Sequence, residues 1–362
     1  MLVSFLKSII YLPSSFSLNY LWNFGSMLGV MMISQIFTGF FLTFYYSSMD
    51  AFQSVQYIMY DVNFGWLFRI LHSNGASMFF FCIYIHIFKS LYMGSYRLKL
   101  VWVSGVLIYF LLMGIAFTGY VLVWAQMSYW AAVVITSLMT SIPYLGKLLV
   151  WWIWGSYSVC LNTLKFFYSL HFILPWVLLV IIMMHLLFLH FFGSTSSLYC
   201  HGDYDKIHFF PVFWFKDLIN ICFYIFFIMF SLYLPFKLSD PMMFLENDVM
   251  ASPSHVVPEW YFLFAFTILR SIPNKLFGVI FMFGSIFILI ILIFPNNYYM
   301  ILDNFLFFFV MIFVWSFLWL TWAGFYSTEY PFMSFNVMFT FIYFFSLFII
   351  FSLNYLVKIV FS

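Results

Sequence analysis

The sequence predicts an all-α membrane protein, a bundle of eight transmembrane helices. Three observations lead there. Of 362 residues, 66% are hydrophobic and 7% charged, against about 25% charged in ordinary soluble domains. That leaves too little polar surface to coat a globule in water. Eight apolar runs reach the length, about 20 residues, that a helix needs to cross a hydrocarbon core of roughly 30 Å. Lipid offers no partner to an unpaired backbone group, which favours helices over open strands. The net charge of +2 gives nothing for nucleic acid to bind.

The spans run 22–46, 64–92, 101–123, 166–192, 218–236, 277–294, 301–320 and 335–355. Ser, Thr, Gly and Pro break up 126–165, which is expected to form short helices at the surface. Pro241, Pro253, Pro258 and Pro273 punctuate 237–276, a structured loop expected against the bundle that carries Asp240, Glu246, Asp248 and Glu259. A boundary near 217 separates a histidine-rich front, 1–217, from a back unit, 218–362, with His255 alone. Eight spans put both termini on one side, but basic residues divide almost evenly between the faces and fix no orientation. Cys82, Cys160, Cys200 and Cys222 form no CxxC or CxxCH spacing, so neither a metal ribbon nor a covalent heme attachment is written here. The first residues hold only Lys7 before an apolar run and lack an Arg-rich transit pattern, as expected of a chain inserted where it is made.

Four of the eight histidines fall into two matched pairs. His72 and His86 lie fourteen residues apart in the second span, and His171 and His185 fourteen apart in the fourth. Fourteen residues of helix rise about 21 Å and return to within about 40° of the starting face. Each helix therefore carries two imidazoles on one stripe, one towards each membrane surface. With a single span between them the two helices run the same way. His72 then meets His171, and His86 meets His185. Two imidazoles saturate a heme iron and leave no position for oxygen or substrate, so such a heme moves electrons.

Glycine repeats the interval in the first and third spans, at Gly25 and Gly39 and at Gly105 and Gly119. These helices run the opposite way, which sets Gly39 and Gly119 at the depth of His72 and His171. Gly25 and Gly105 fall at the depth of His86 and His185. A missing side chain lets a flat macrocycle approach the backbone. One intramembrane histidine can equally be a packed, hydrogen-bonded residue, and membrane glycines commonly serve helix packing. The joint pattern is what argues for two stacked hemes. Arg69 suits the propionates of the first; Lys89 and Trp102 suit the second. Snorkelling surface anchors are the plainer reading of these basic residues.

Several stretches closely resemble mitochondrial cytochrome b: WNFGSMLG at 22–29, HSNGAS at 72–77, GYVLVWAQMSYWAAVVIT at 119–136, LHFILPW at 170–176 and PEWYFLFAFTILRSIPNK at 258–275. The resemblance covers roughly 20–355, and Pro258-Glu259-Trp260-Tyr261 is its most specific element. It implies a subunit of quinol–cytochrome c oxidoreductase in the mitochondrial inner membrane, working by a Q-cycle coupled to proton translocation. Two non-covalent b hemes are implied, a low-potential one on His72 and His171 and a high-potential one on His86 and His185. Ubiquinol or a related quinol would be oxidised at an outer pocket lined by Met113, Phe117, Tyr120, Met127, Ile135, Pro258, Glu259 and Phe262. There Glu259 takes a proton, its pKa raised by apolar walls. Quinone would be reduced at an inner site of Ser26, His190, Lys216 and Asp217, where His190 and Asp217 supply protons. The implied partners are a Rieske iron–sulfur protein, cytochrome c1, other complex subunits, a second copy of the assembly and membrane lipids. His201, His208 and His255 are expected to be surface residues.

Departures from the family pattern stand at Ala125 and Ala131, where glycine is usual, at Phe266 in place of Tyr, and at Phe166, beside Lys165, in place of Arg. Each alanine methyl is expected to intrude on the outer pocket and weaken methoxyacrylate-type inhibitors by about 1–3 kcal/mol of overpacking. A transporter would require charges along a path and inverted repeats, and the spans have almost no charge. Another diheme anchor would share the histidine pairs but lack PEWY, and a non-redox structural subunit would leave the histidines unexplained.

Overall fold

The structure is a computed structural model that describes residues 11–197, 205–294 and 304–361. Lys7, Cys200 and His201 lie outside the described residues. The chain is mostly helical, with twelve α-helices among the described residues. They are α1 (Asn23–Leu42), α2 (Ala51–Tyr60), α3 (Gly65–Tyr92), α4 (Lys99–Val121), α5 (Gln126–Ser137), α6 (Gly146–Trp154), α7 (Leu161–Phe192), α8 (Val212–Tyr233), α9 (Leu263–Ser271), α10 (Lys275–Phe287), α11 (Asn304–Ala323) and α12 (Phe332–Phe361).

Eight are long and apolar enough to cross a membrane, and each overlaps a predicted span. These are α1, α3, α4, α7, α8, α10 with its 3-10 extension Ile288–Ile293, α11 and α12. The extension keeps the sixth element long enough to span although its last turns are tightened.

Helix α1 packs on α3, and α4 on α7, so each histidine-bearing helix is paired with a glycine-bearing one. Helix α7 is the least buried of the eight spans. It contains Pro175, which has no N–H to offer the carbonyl of His171 four residues earlier. One large core runs through α1, α3, α4 and α8–α12, with Phe80, Phe264, Phe313 and Leu347 fully enclosed. A second gathers Val121, Trp124, Tyr129, Ala132 and Phe167 beneath the α5–α6 segment.

The segment 126–165 forms short helices as expected, and 237–276 is anchored to the bundle. That segment also forms the enclosed helix α9, which the proline count concealed. Helix α2 lies between the first two spans with Ala51, Ser54 and Ile58 on its buried face. A short antiparallel pair, β1 (Pro13–Ser15) with β2 (Lys206–His208), ties the N-terminal segment to the approach to α8. Asp205 closes that tie by accepting from the Ser15 hydroxyl at 2.7 Å and the Ser17 amide at 3.2 Å.

Candidate functional site

The four glycines each face one of the four histidines. A methyl built on Gly39 would stand 2.8 Å from Cε1 of His72, and one on Gly119 would collide with the His171 ring. At Gly25 and Gly105 the same methyl would meet His86 at 3.5 Å and His185 at 3.3 Å. The antiparallel pairing of α1 with α3 and of α4 with α7 sets these depths. The glycines thus leave room at the imidazoles themselves.

His72 and His171 come together across the bundle, their ring centres 6.1 Å apart and their planes at 88°. A metal joined to two imidazole nitrogens at about 2 Å each would hold the ring centres roughly 6 Å apart. The pair therefore has the separation a bis-histidine iron requires.

Hydrogen bonds fix which nitrogen each ring presents. The Thr38 hydroxyl lies 2.9 Å from Nδ1 of His72 and gives its one hydrogen to the Ser34 carbonyl at 2.8 Å. It can then only accept from the imidazole, so Nδ1 carries the proton and Nε2 keeps its lone pair. Ser104 does the same for His185, at 2.9 Å, with its hydrogen on the Leu100 carbonyl at 2.7 Å. Nδ1 of His171 donates to the Ile115 carbonyl at 2.8 Å. His86 is the exception, with a buried Nδ1 that has no partner among the described residues. Phe24 precedes Gly25 where Thr38 and Ser104 precede Gly39 and Gly105. The helix also begins at Asn23, so the carbonyl four residues before Gly25 belongs to a 3-10 turn. Three imidazoles held through Nδ1, four glycine clearances and the 6.1 Å separation of His72 from His171 fit a pair of bis-histidine hemes.

A cavity of about 540 Å³ opens beside the outer pair. It is bounded by His72 and His171, by Arg69 three residues before His72, and by Tyr120 and Glu259. Arg69 is the one Lys or Arg among the described residues that line it. The PEWY segment is fastened to α3. The Trp260 indole donates to the Ser77 hydroxyl at 3.2 Å, the Tyr84 hydroxyl donates to the Tyr261 carbonyl at 2.5 Å, and Tyr261 stacks on Phe80 at 4.1 Å. The same helix therefore carries His72 and sets Glu259. Burial first, and the negative charge of Asp240 second, push the Glu259 carboxyl from 4.5 up to about 7.

Of the eight residues expected around the outer pocket, only Tyr120 and Glu259 border this cavity. Met113 packs on the main core, Phe117 sits edge-on to Phe167 at 5.7 Å, Met127 is buried in α5, and Phe262 packs on Phe80 at 5.9 Å. Ile135 and Pro258 are half-buried outside the lining. These residues were expected there from resemblance alone, and in this structure they lie outside the lining of this cavity.

At the inner end, Ser26 donates to Asp217 Oδ1 at 2.7 Å, joining α1 to α8. Lys216 turns away from this contact: its ammonium donates to the Leu18 carbonyl at 2.7 Å and lies over the Phe213 ring. His190 is exposed at the end of α7, with no hydrogen bond to Ser26 or Asp217 among the described residues. Lys89 is buried with Nζ 4.4 Å from the centre of the Trp22 ring. The indole N–H of Trp102, expected for a propionate, is committed instead to the Leu289 carbonyl at 2.7 Å. His208 and His255 are exposed, as expected. Thr38, Ser104 and Asn220 escaped the sequence reading. The step from Ser104 to Gly105 and from Thr38 to Gly39 was the signal available for the first two.

The family model described as "Cytochrome b/b6/petB" matches residues 9–193, and the one described as "Cytochrome b(C-terminal)/b6/petD" matches 246–344. A protein named cytochrome b from Caenorhabditis elegans is 56% identical over 338 residues, covering 93% of this chain and 91% of that one. The chain belongs to the cytochrome b family. Cytochrome b from Apis mellifera ligustica is 46% identical over 356 residues, covering 96% of this chain and 92% of its own length. A solved chain titled "Hyperthermophilic respiratory Complex III" superposes with a TM-score of 0.91 at 28% identity, covering 98% of this chain and 97% of that one.

The four departures from the cytochrome b pattern have structural homes. Ala125 and Ala131 are buried, and neither lines the cavity. Ala125 instead bridges to Glu246, and the adjoining Gln126 accepts from the Asp248 amide at 2.7 Å, tying α5 to the proline-rich loop. Phe266 is the platform for the Arg270 guanidinium, 4.3 Å above its ring, and not a cavity residue. Phe166 packs on Trp152 while Lys165 is exposed, and neither lines the cavity.

Proposed function

We propose that this cytochrome b is the quinol-oxidising and quinone-reducing subunit of a respiratory complex III in the mitochondrial inner membrane. One observation carries the reading: a single cavity brings His72 and His171 together with Tyr120 and Glu259. An electron acceptor's ligands and a proton acceptor thus share one apolar chamber, as a two-electron, two-proton oxidation requires.

Two b-type hemes, one on His72 and His171 and one on His86 and His185, would supply single-electron transfer across the bilayer. Thr38, Ser104 and the Ile115 carbonyl hold three of these imidazoles with Nε2 available. Arg69, half-buried in the cavity wall, offers a cation to a propionate. In the outer chamber Glu259, poised near neutrality, accepts a quinol proton. The apolar walls keep bulk water from the reacting quinol. At the inner end Ser26 orients Asp217 towards a quinone. Two quinols oxidised at the outer chamber and one quinone reduced at the inner end release four protons outside and take up two inside. One electron of each quinol must leave the chain, which implies a Rieske iron–sulfur partner and cytochrome c1 within a dimeric complex.

A reduced-minus-oxidised spectrum tests this. The purified complex should show two b-type bands, reduced by quinol and blocked separately by inhibitors of the outer and inner pockets. One band, or reduction indifferent to quinol, would refute it.

A further inference from the structure

The inner cluster holds one more polar group than the reading above uses. Asn220 stands one turn after Asp217 in α8 and is 4% exposed. Its amide donates to the Ser26 hydroxyl at 2.8 Å. Burying an amide among apolar helices costs free energy unless it is hydrogen-bonded, and here the bond goes to the hydroxyl that touches Asp217.

The Ser26 hydroxyl has one hydrogen and two acceptors for it, Asp217 Oδ1 at 2.7 Å and the Asn23 carbonyl at 2.9 Å. Asn220, a donor here, occupies a lone pair and turns the hydrogen away from α8's interior towards those two oxygens. With Asp217 ionised the hydrogen goes to the carboxylate. With Asp217 protonated it can swing to Asn23, freeing the serine oxygen to accept from the carboxyl. Asn23 is itself buried and held by donating to the Lys216 carbonyl at 2.6 Å. Ser26 follows Gly25, whose missing side chain clears His86. The cluster therefore lies beside the inner imidazoles.

We infer that Asn220 is a positioning residue of the inner quinone site, holding the Ser26 hydroxyl so that Asp217 presents its carboxyl to the quinone in both protonation states. This rests on the reading of Ser26 and Asp217 as quinone-site residues. Asn220 acts through Ser26 and need not touch the substrate.

The test compares Asn220→Ala, Asn220→Leu, Ser26→Ala and the double variant Asn220→Ala/Ser26→Ala in the intact complex. Leucine keeps the volume of asparagine without its donor, which separates lost hydrogen bonding from lost packing. Heme content by spectrum checks assembly. The readout is the apparent KM and kcat for quinone in reoxidation of the inner heme, with the outer pocket blocked. Each asparagine variant should lower kcat/KM for quinone about three- to tenfold, the range of one hydrogen bond. The double variant should lose no more than Ser26→Ala alone, because both changes remove the same contact. Wild-type kinetics in Asn220→Leu, or losses that multiply in the double variant, would overturn the inference. Ser26→Ala and Asp217→Asn both matching wild type would instead overturn the placement of the quinone site.

Discussion

The Ser104 hydroxyl lies 2.9 Å from Nδ1 of His185, whereas His86 has a buried Nδ1 with no partner among the described residues. A proton shared with an acceptor makes an imidazole a stronger electron donor and favours the oxidised metal. Ser104→Ala should therefore raise the midpoint potential of the inner heme and leave the outer one unchanged. Thr38→Val should do the reverse. The carbonyls of Val101 and Gln35 remain beside the two rings, so heme retention should fall by no more than about tenfold. Potentiometric titration of both bands checks this.

The glycine clearances rank four substitutions. Alanine at Gly119 collides with His171 and at Gly39 falls 2.8 Å from His72, whereas Gly105 and Gly25 leave 3.3 and 3.5 Å. Loss of heme should therefore follow the order Gly119→Ala, Gly39→Ala, Gly105→Ala, Gly25→Ala. The first two deplete the outer heme, each at a cost of about 1–3 kcal/mol of overpacking. Pyridine hemochrome assays on the four complexes give the ranking directly.

Glu259 must be ionised to accept a proton, so quinol oxidation should rise as pH increases through about 7. Asp240→Asn keeps the turn, since Asp240 Oδ1 accepts from the Met242 amide at 2.8 Å and an amide oxygen can do so too. It removes the neighbouring charge, so the midpoint of the pH profile should move down. Because the folded-state pKa lies above the unfolded value, Glu259 favours the fold most at acid pH. That contribution is lost as pH rises from 4.5 through about 7. A pH–rate profile with the same midpoint in both proteins would contradict this assignment of cause.

Tyr84→Phe removes the donor to the buried Tyr261 carbonyl and the acceptor of the buried Tyr109 hydroxyl. A cost of about 1–3 kcal/mol is expected. It should appear as a lower unfolding temperature and a raised KM for quinol at the outer site, with heme content unchanged.

What could be read from the sequence was whatever repeats with a period. The fourteen-residue interval, together with neighbouring spans running opposite ways, set Gly39 at His72 and Gly25 at His86, where the clearances put them. The facing of Met113 and Phe117 rests on resemblance alone, since helices apolar all round give no sign of which side meets a cavity. The use of the Trp102 N–H was not legible, its acceptor, Leu289, lying 187 residues away. Ser104 and Asn220 look ordinary in the sequence. Their meaning comes from a neighbour on another helix.

The most direct test replaces one histidine in each pair and counts hemes. His171→Ala should leave a complex with only the inner b band, and His185→Ala one with only the outer band. Two full bands in either variant would contradict the pairing of His72 with His171 and of His86 with His185.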